Sequence, residues 1–93
     1  MEIIYADEFA KQFRKLSKRI QQNAVKQEEV FRENPLHPSL NIEKLRPRSK
    51  ELWSIRVDKK YRIIFRYTAS TKSHVYFLAI GEHDFIYKFT NRL

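Results

Sequence analysis

The apolar residues of this chain change their spacing once, from the period of a helix to the period of a strand. Between residues 9 and 20 they stand three or four positions apart, which is the spacing of one helix face. Between residues 53 and 67 they alternate with polar residues, as in strands that are buried on one side. The change predicts a helical first half and a sheet in the second half.

The helical half is expected to contain two helices preceded by a short strand. Residues 2–6 include β-branched and aromatic residues and predict the strand, after which Asp7 is expected to cap the first helix. Apolar residues at helical spacing continue more weakly to Phe31, and a break near residues 19–23 divides the pattern in two. Prolines at positions 35 and 38 end the helical region.

Three antiparallel strands are expected to follow the helices, over residues 52–57, 61–67 and 74–80. Gly81 is expected to end the third strand, and residues 85–89 to form a fourth short strand or a turn of helix. The fold class is therefore α+β, with a short N-terminal strand, two helices and a three- to four-stranded antiparallel sheet that carries the helices on one face. This arrangement fits one domain over residues 1–93.

The positive charge of the chain is concentrated in one quarter of its length. The formal net charge is +8, and residues 44–66 alone hold nine Lys or Arg against two acidic residues. Strand alternation places Arg56, Arg62 and Arg66 on the sheet face that points away from the predicted helices. A basic face of this kind favours a polyanionic partner, and nucleic acid is the first candidate.

The composition excludes several classes of protein. A single glycine is too few for the dinucleotide-binding and P-loop fingerprints, and the absence of cysteine removes thiolate metal sites and cysteine nucleophiles. The three histidines show no metal-binding spacing, so neither a metal ion nor another cofactor is expected. No apolar run approaches the ~20 residues of a membrane span, and the acidic start does not resemble a secretory signal, so a cytoplasmic location is expected.

Four short motifs occur in order along the chain. They are H-P-S-L with K-L at residues 37–45, W-S-I-R-V at 53–57, Y-R-I-I-F at 61–65 and I-G-E-H-D-F-I-Y at 80–87. Each motif is short, but their order and spacing together resemble the RelE/ParE superfamily of bacterial type II toxins. With the N-terminal strand and helices, the resemblance covers roughly residues 3–88.

The resemblance implies a fold like that of microbial ribonucleases and the activity of the RelE-like members, which cut mRNA in the ribosomal A site without a metal ion. The chain looks most similar to the YafQ-type and YoeB-type toxins. By that similarity His83, Arg62, Tyr87 and His37 are expected to be catalytic. The implied partners are a cognate antitoxin protein and the ribosome with its rRNA and mRNA, and no membrane partner is expected.

These residue types suit the cleavage of RNA by its own 2′-hydroxyl group. Histidine titrates at ~6.5 when unperturbed and can act as acid or base, arginine binds phosphate through two donors, and tyrosine can stack on an unpaired base. Further contacts with RNA are expected from basic residues of the strands and turns. These residues are Arg56, Arg66, Lys59, Lys60, Arg46 and Arg48.

Two other functions fit the same sequence. The chain departs from the RelE pattern at Leu52 and Ser54, where RelE has lysines, and the catalytic glutamate of the YoeB-type toxins has no secure counterpart. A ParE-like gyrase inhibitor with the same fold is one alternative, although it leaves Arg62 and His83 without a role. A basic module that binds nucleic acid without cleaving it is the other. His74, which precedes an apolar strand, is expected to be structural.

Overall fold

The computed structural model describes residues 1–45, 51–68 and 74–91, which form an α+β fold as the sequence predicts. The strands in these ranges are β1 (Glu2–Tyr5), β2 (Glu43–Lys44), β3 (Trp53–Arg56), β4 (Tyr61–Thr68) and β5 (His74–Glu82). The helices are α1 (Asp7–Arg14), α2 (Lys18–Glu33) and α3 (His83–Asn91), with a 3₁₀ turn at Pro38–Leu40. None of the helices in the described ranges is long and apolar enough to cross a membrane.

The strands form one five-stranded sheet in the order β1-β5-β4-β3-β2. β1 pairs with β5 in parallel, and the other neighbouring strands are antiparallel. The structure thus refines the expected three to four antiparallel strands to a mixed sheet. The two outer strands of the sheet, β1 and β2, are the additions. Side-chain alternation does not reveal that they join the sheet, because β1 pairs with a strand near the other end of the chain and β2 has only two residues.

The two N-terminal helices separate earlier than the sequence predicts. α1 ends at Arg14 and α2 begins at Lys18, whereas the apolar pattern places the break near residues 19–23. Ser17 fixes the boundary, because its hydroxyl oxygen accepts a hydrogen bond from the Ile20 N–H at 3.4 Å. The apolar stripe is therefore shared between two helices that contribute to the same core.

The start of α1 has no side-chain cap. The N-cap residue is Ala6, and Asp7 is the first residue of the helix instead of the predicted cap. Asp7 and Glu8 still stabilise this end of the helix, because acidic side chains in the first turn interact favourably with the helix dipole.

Phe31 of α2 lies at the centre of the core between the N-terminal helices and the sheet. Its side chain is fully buried, and its ring centroid lies 4.9 Å from that of Phe65 and 5.9 Å from that of Phe77. Phe9 of α1 also contacts Phe77, at a centroid distance of 5.6 Å. Burial of apolar surface stabilises a fold by about 25 cal/mol per Å², so this aromatic cluster helps to hold both helices on the sheet.

The opposite face of the sheet carries a second, smaller core under α3. Ile63 and Ile64 are consecutive residues of β4 that are both buried, and they belong to different cores. Ile64 packs with Ala79 of β5 and Ile86 of α3. The sequence places helices on one face of the sheet, and the structure adds α3 on the other. Residues 85–89, for which the sequence leaves a strand or a helical turn open, are helical.

Gly81 allows α3 to lie directly on β5. The sequence predicts that the third strand ends at Gly81, but β5 continues to Glu82. α3 begins at the next residue, His83, without an intervening loop. A Cβ atom at position 81 would lie only 2.7 Å from Cδ1 of Phe85, which is well inside the optimal separation of carbon atoms. The missing side chain therefore makes room for the Phe85 ring.

We expect Gly81→Ala to lower the free energy of unfolding by roughly 1–3 kcal/mol, the usual cost of overpacking, because the added methyl group displaces the Phe85 ring. Urea unfolding monitored by circular dichroism measures the loss. The matched control is Gly81→Ala in a Phe85→Ala chain, where the methyl group has room and the substitution should cost much less. Equal losses in the two backgrounds would contradict this role of the contact.

Candidate functional site

Two arginines face each other across neighbouring strands at one end of the sheet. The antiparallel register places Arg56 of β3 opposite Arg62 of β4, and Arg62 opposite Gly81 of β5. The turn between β3 and β4 fixes this register, because the Asp58 carboxylate accepts hydrogen bonds from the backbone N–H groups of Lys60 at 2.8 Å and Tyr61 at 2.9 Å. The arginine row, Arg56 and Arg62, therefore follows from the pairing of the strands.

Arg62 is buried in the second face of the sheet. Its side chain is only 8% exposed, its Nε donates to the Ser54 hydroxyl oxygen at 3.0 Å, and its Nη2 donates to the Asn41 carbonyl at 2.9 Å. Strand alternation predicts that Arg62 points away from the first core, the one between the N-terminal helices and the sheet, and the structure confirms this. The face to which it points is partly covered by α3 and the residues packed with it. Both hydrogen-bond acceptors are neutral, and the described residues include no carboxylate in an ion pair with Arg62.

Arg56 is the exposed member of the arginine row. Its Nε lies 3.4 Å from the Asp58 carbonyl, which is a neutral acceptor. In the described part of the chain Arg56 also forms no ion pair with a carboxylate. The row therefore presents two guanidinium groups whose charge is not balanced by a described acidic side chain.

His83 lies next to the arginine row, where β5 passes into α3. Its backbone N–H donates to the Lys60 carbonyl at 2.8 Å, which places the start of α3 beside the turn between β3 and β4. Its side chain is 54% exposed, and its Nδ1 lies 3.6 Å from the carboxylate of Asp84. An accessible imidazole thus stands two residues beyond Gly81, the residue paired with Arg62.

His37 caps the 3₁₀ turn, and the turn is attached to the strand that carries Arg56. Its Nδ1 accepts a hydrogen bond from the Ser39 N–H at 3.1 Å, so Nε2 is the nitrogen that can carry a proton. The Gln27 amide donates both to the Ser39 carbonyl at 3.0 Å and to the Arg56 carbonyl at 2.8 Å. This bridge connects the His37 segment to the β3 end of the arginine row.

Lys59 and Lys60 line a polar cleft of about 580 Å³ between their turn and the first residues of α2. Arg19 and Asn23 line the opposite side of the cleft, and Glu82 is also part of it. Three cations and the two carboxylates of Asp58 and Glu82 therefore line the cleft next to the His83 end of the site. The sequence predicts the two lysines as RNA contacts, but it does not indicate that Arg19 joins them.

Of the remaining predicted residues, the structure describes the side chain of Arg66 and places it away from this cluster. Arg66 stands four residues farther along β4, about 13 Å from Arg62 at the usual rise of a strand, and its guanidinium lies 5.4 Å from the ring centroid of Tyr76. Tyr87 falls within α3, but its side chain lies outside the described part of the structure. Arg46 and Arg48 also lie outside the described residues. The functional roles of all four residues stay predictions.

Two partners of Arg62 are not among the residues that the sequence predicts for the site. Ser54 is noted in the sequence only because RelE has a lysine there, and nothing in its spacing predicts a bond to Arg62. Asn41 acts through its backbone carbonyl, which no sequence pattern reveals. The residue type alone could have indicated a tight turn at this position, because asparagine tolerates left-handed backbone conformations. Asn41 adopts one, with φ of 43°.

The sequence matches one known protein family over most of its length. The family is described as RelE-like toxin of the type II toxin–antitoxin system HigB, and the match covers residues 5–79. A comparison with curated proteins finds no significant sequence match.

Several solved structures share the fold at low sequence identity. A YoeB/ParE toxin from Agrobacterium tumefaciens is 14% identical with a TM-score of 0.73, over 89% of this chain and 99% of that one. The archaeal RelE–RelB complex from Pyrococcus horikoshii contains a chain that is 14% identical with a TM-score of 0.69, over 87% of this chain and 92% of that one. The E. coli DinJ–YafQ toxin–antitoxin complex contains a chain that is 19% identical with a TM-score of 0.71, over 92% and 96%.

The family match and the fold lead to the same assignment. The matched residues include α1, α2, β2, β3 and β4 in full, most of β5 and the last residue of β1, and they hold most of the first core and the arginine row. The structural neighbours share the fold over 92–99% of their own lengths. The chain therefore belongs to the HigB-like family of RelE-like toxins of type II toxin–antitoxin systems.

Proposed function

We propose that this toxin is an endoribonuclease that cleaves mRNA in the ribosomal A site and so inhibits translation. The observation that carries the proposal is the arginine row beside His83. Like charges directly opposite each other on neighbouring strands destabilise a sheet, and Arg56 and Arg62 have no described carboxylate to offset this repulsion. A phosphate group of RNA supplies the missing negative charge.

The proposed reaction is internal transfer at the phosphate. The 2′-oxygen attacks the phosphorus atom while a base takes its proton, and the bond from phosphorus to the 5′-oxygen breaks. An acid then gives a proton to the departing 5′-oxygen, so the products are a 2′,3′-cyclic phosphate and a 5′-hydroxyl group. Two proton-transfer groups and a cationic site for the phosphate are sufficient for this reaction. The proposal includes no metal ion.

The described residues supply groups of both kinds. Arg62 and Arg56 bind the scissile phosphate and stabilise the negative charge that grows on its oxygens in the transition state. His83, on the β5 side of the row, carries out one proton transfer. His37, on the β3 side, carries out the other through Nε2. Tyr87 keeps the role that the family resemblance implies, as an aromatic group beside the substrate.

Contacts with the ribosome and with the rest of the mRNA are assigned to the cleft at the β3–β4 turn. Lys59 and Lys60 are exposed and lie near Arg19 across the cleft, so a phosphate backbone can approach several cations at once. Binding of this kind weakens as salt rises, because it releases counterions from the nucleic acid. Arg66, Arg46 and Arg48 are retained in the proposal as further RNA contacts.

We expect the wild-type toxin to cut mRNA on translating ribosomes and His83→Ala to cut it about 10²–10⁴ times more slowly, the usual contribution of a general acid or base. Primer extension on mRNA from an in vitro translation reaction maps and times the cuts. His74→Ala is the matched control, because His74 lies at the far end of β5 and contacts Glu2 at 3.7 Å. Intact mRNA together with inhibited gyrase supercoiling would favour the gyrase alternative instead, and binding without either effect would favour the non-enzymatic module.

We expect Arg56→Gln to lower kcat/KM for mRNA cleavage by about 10- to 100-fold, because it removes a charged hydrogen-bond donor from the phosphate. The rate is measured at two salt concentrations. Arg32→Gln is the control, since it removes the same charge from the end of α2, where Arg32 pairs with Glu28. If the two variants lose equal activity, net charge alone accounts for the effect and the arginine row has no specific role.

We also propose that a cognate antitoxin binds this toxin, because structural neighbours are solved as toxin–antitoxin complexes. The net charge of +8 favours an antitoxin with an acidic segment that is attracted to residues 44–66. The protein encoded beside the toxin gene should therefore restore growth on co-expression and co-purify with the toxin. Its association rate should fall steeply with salt. Growth rescue by a protein that does not bind the toxin would contradict this part of the proposal.

A further inference from the structure

A fully buried serine holds the buried arginine of the site. Ser54 of β3 is 0% exposed, and its hydroxyl oxygen accepts the Nε–H of Arg62 at 3.0 Å. Ser54 lies on the same sheet face as Arg62 and is paired with Ile64, which is also buried. A hydroxyl group in such an apolar position is costly unless it forms a hydrogen bond. The bond to Arg62 is therefore the evident reason for a polar residue at this position.

Asn41 provides the second support for Arg62 through its backbone. Its carbonyl accepts from Nη2 of Arg62 at 2.9 Å, and its own N–H donates to the Pro38 carbonyl at 3.1 Å. Its φ of 43° is the only positive value outside glycine in the described residues. Such a conformation costs free energy and persists where the surrounding structure needs it. Here it closes the 3₁₀ turn, and the carbonyl of the same residue accepts the hydrogen bond from Arg62.

The neutral character of both acceptors leaves the charge of Arg62 available. A buried guanidinium is normally paired with a carboxylate, which cancels its charge. Ser54 and Asn41 instead fix two of the five N–H donors without adding negative charge. The remaining donors and the full positive charge are left for an incoming phosphate group. The arrangement orients the arginine and preserves its attraction for an anion.

We propose that Ser54 and the Asn41 carbonyl are positioning groups that hold the Arg62 guanidinium in the geometry that binds the RNA phosphate. This inference rests on the proposed RNA-cleaving function. Arginine has a long and flexible side chain, and a displacement of 1 Å at a reacting centre can cost ~100-fold in rate. Two fixed hydrogen bonds on different atoms of one planar group determine both its position and its tilt.

Binding of an uncleavable RNA tests the proposal without relying on cleavage. The probe is a short single-stranded RNA with a 2′-deoxy nucleotide at the cut site, and its affinity is measured at low salt for the full chain and its variants. We expect Ser54→Ala to weaken binding about tenfold, the effect of one lost hydrogen bond. In an Arg62→Ala chain, Ser54→Ala should leave the affinity for this RNA unchanged. Equal effects in both backgrounds, or no effect in either, would overturn the proposal.

Ser54→Asp separates positioning from simple support of the fold. Aspartate retains an acceptor for Nε of Arg62 but neutralises the guanidinium, so we expect weaker RNA binding than in Ser54→Ala although Arg62 keeps a partner. Thermal unfolding of each variant shows whether the fold is intact. If Ser54→Asp binds RNA as well as the wild type, the neutral acceptor is not required and the proposal is wrong.

Substitutions of Asn41 and a spectroscopic signal give a second, independent measurement. Asn41→Gly retains the carbonyl and the left-handed backbone and should bind RNA like the wild type, whereas Asn41→Val should bind as weakly as Ser54→Ala. In NMR spectra the Nε hydrogen of Arg62 should exchange slowly with water in the wild type and in Asn41→Gly, and quickly in Ser54→Ala. Fast exchange in the wild type would overturn the positioning role.

The results separate this inference from the proposed function. If the wild type cuts no mRNA but the Ser54 effect depends on Arg62, the nuclease assignment fails and the positioning role stands. If the wild type cuts mRNA and Ser54→Ala cuts and binds RNA equally well, the nuclease assignment stands and the positioning role fails.

Discussion

The burial of β4 on both faces is the constraint on which the rest of the structure depends. Ile63, Ile64 and Phe65 are consecutive and fully buried, so this strand needs a packed layer on each side. α1 and α2 provide one layer, and α3 provides the other. Arg62 immediately precedes the apolar run. The proposed phosphate ligand is therefore built on the most constrained strand of the sheet, where its backbone has little freedom to move.

The groups of the candidate site come from places where secondary structure ends. Arg56 is the last residue of β3, Arg62 is the second residue of β4, and His83 is the first residue of α3. The β3–β4 turn brings these ends together, because its Asp58 carboxylate fixes the start of β4 and its Lys60 carbonyl holds the start of α3. A rigid sheet thus presents polar groups at one end of its strands, and this end is the proposed binding site for RNA.

Much of this arrangement could be predicted from the sequence, and the remainder depends on contacts that no local pattern encodes. The alternation of residues 53–67 assigns Arg56 and Arg62 to one sheet face, as the structure shows. Alternation predicts on which face of the sheet a side chain lies, but not how exposed that side chain is. It therefore does not reveal that Arg62 is buried beneath neighbouring segments. The parallel pairing of β1 with β5 joins two backbones, and the bond from the Arg62 side chain ends on the backbone carbonyl of Asn41, both across long sequence separations. The side chains involved leave no periodic trace of them.

The buried charge of Arg62 also links the stability of the fold to its ligands. A cation held by neutral acceptors raises the free energy of the empty toxin, and any anion that occupies the site lowers it. Mass action then adds stability that grows with the logarithm of the ligand concentration relative to Kd, about 2.7 kcal/mol when the ligand is at a hundred times Kd. An anion at the proposed phosphate site should therefore make the toxin more stable than it is with that site empty. An RNA substrate or an acidic inhibitor that fills the site would also protect the chain from unfolding and proteolysis.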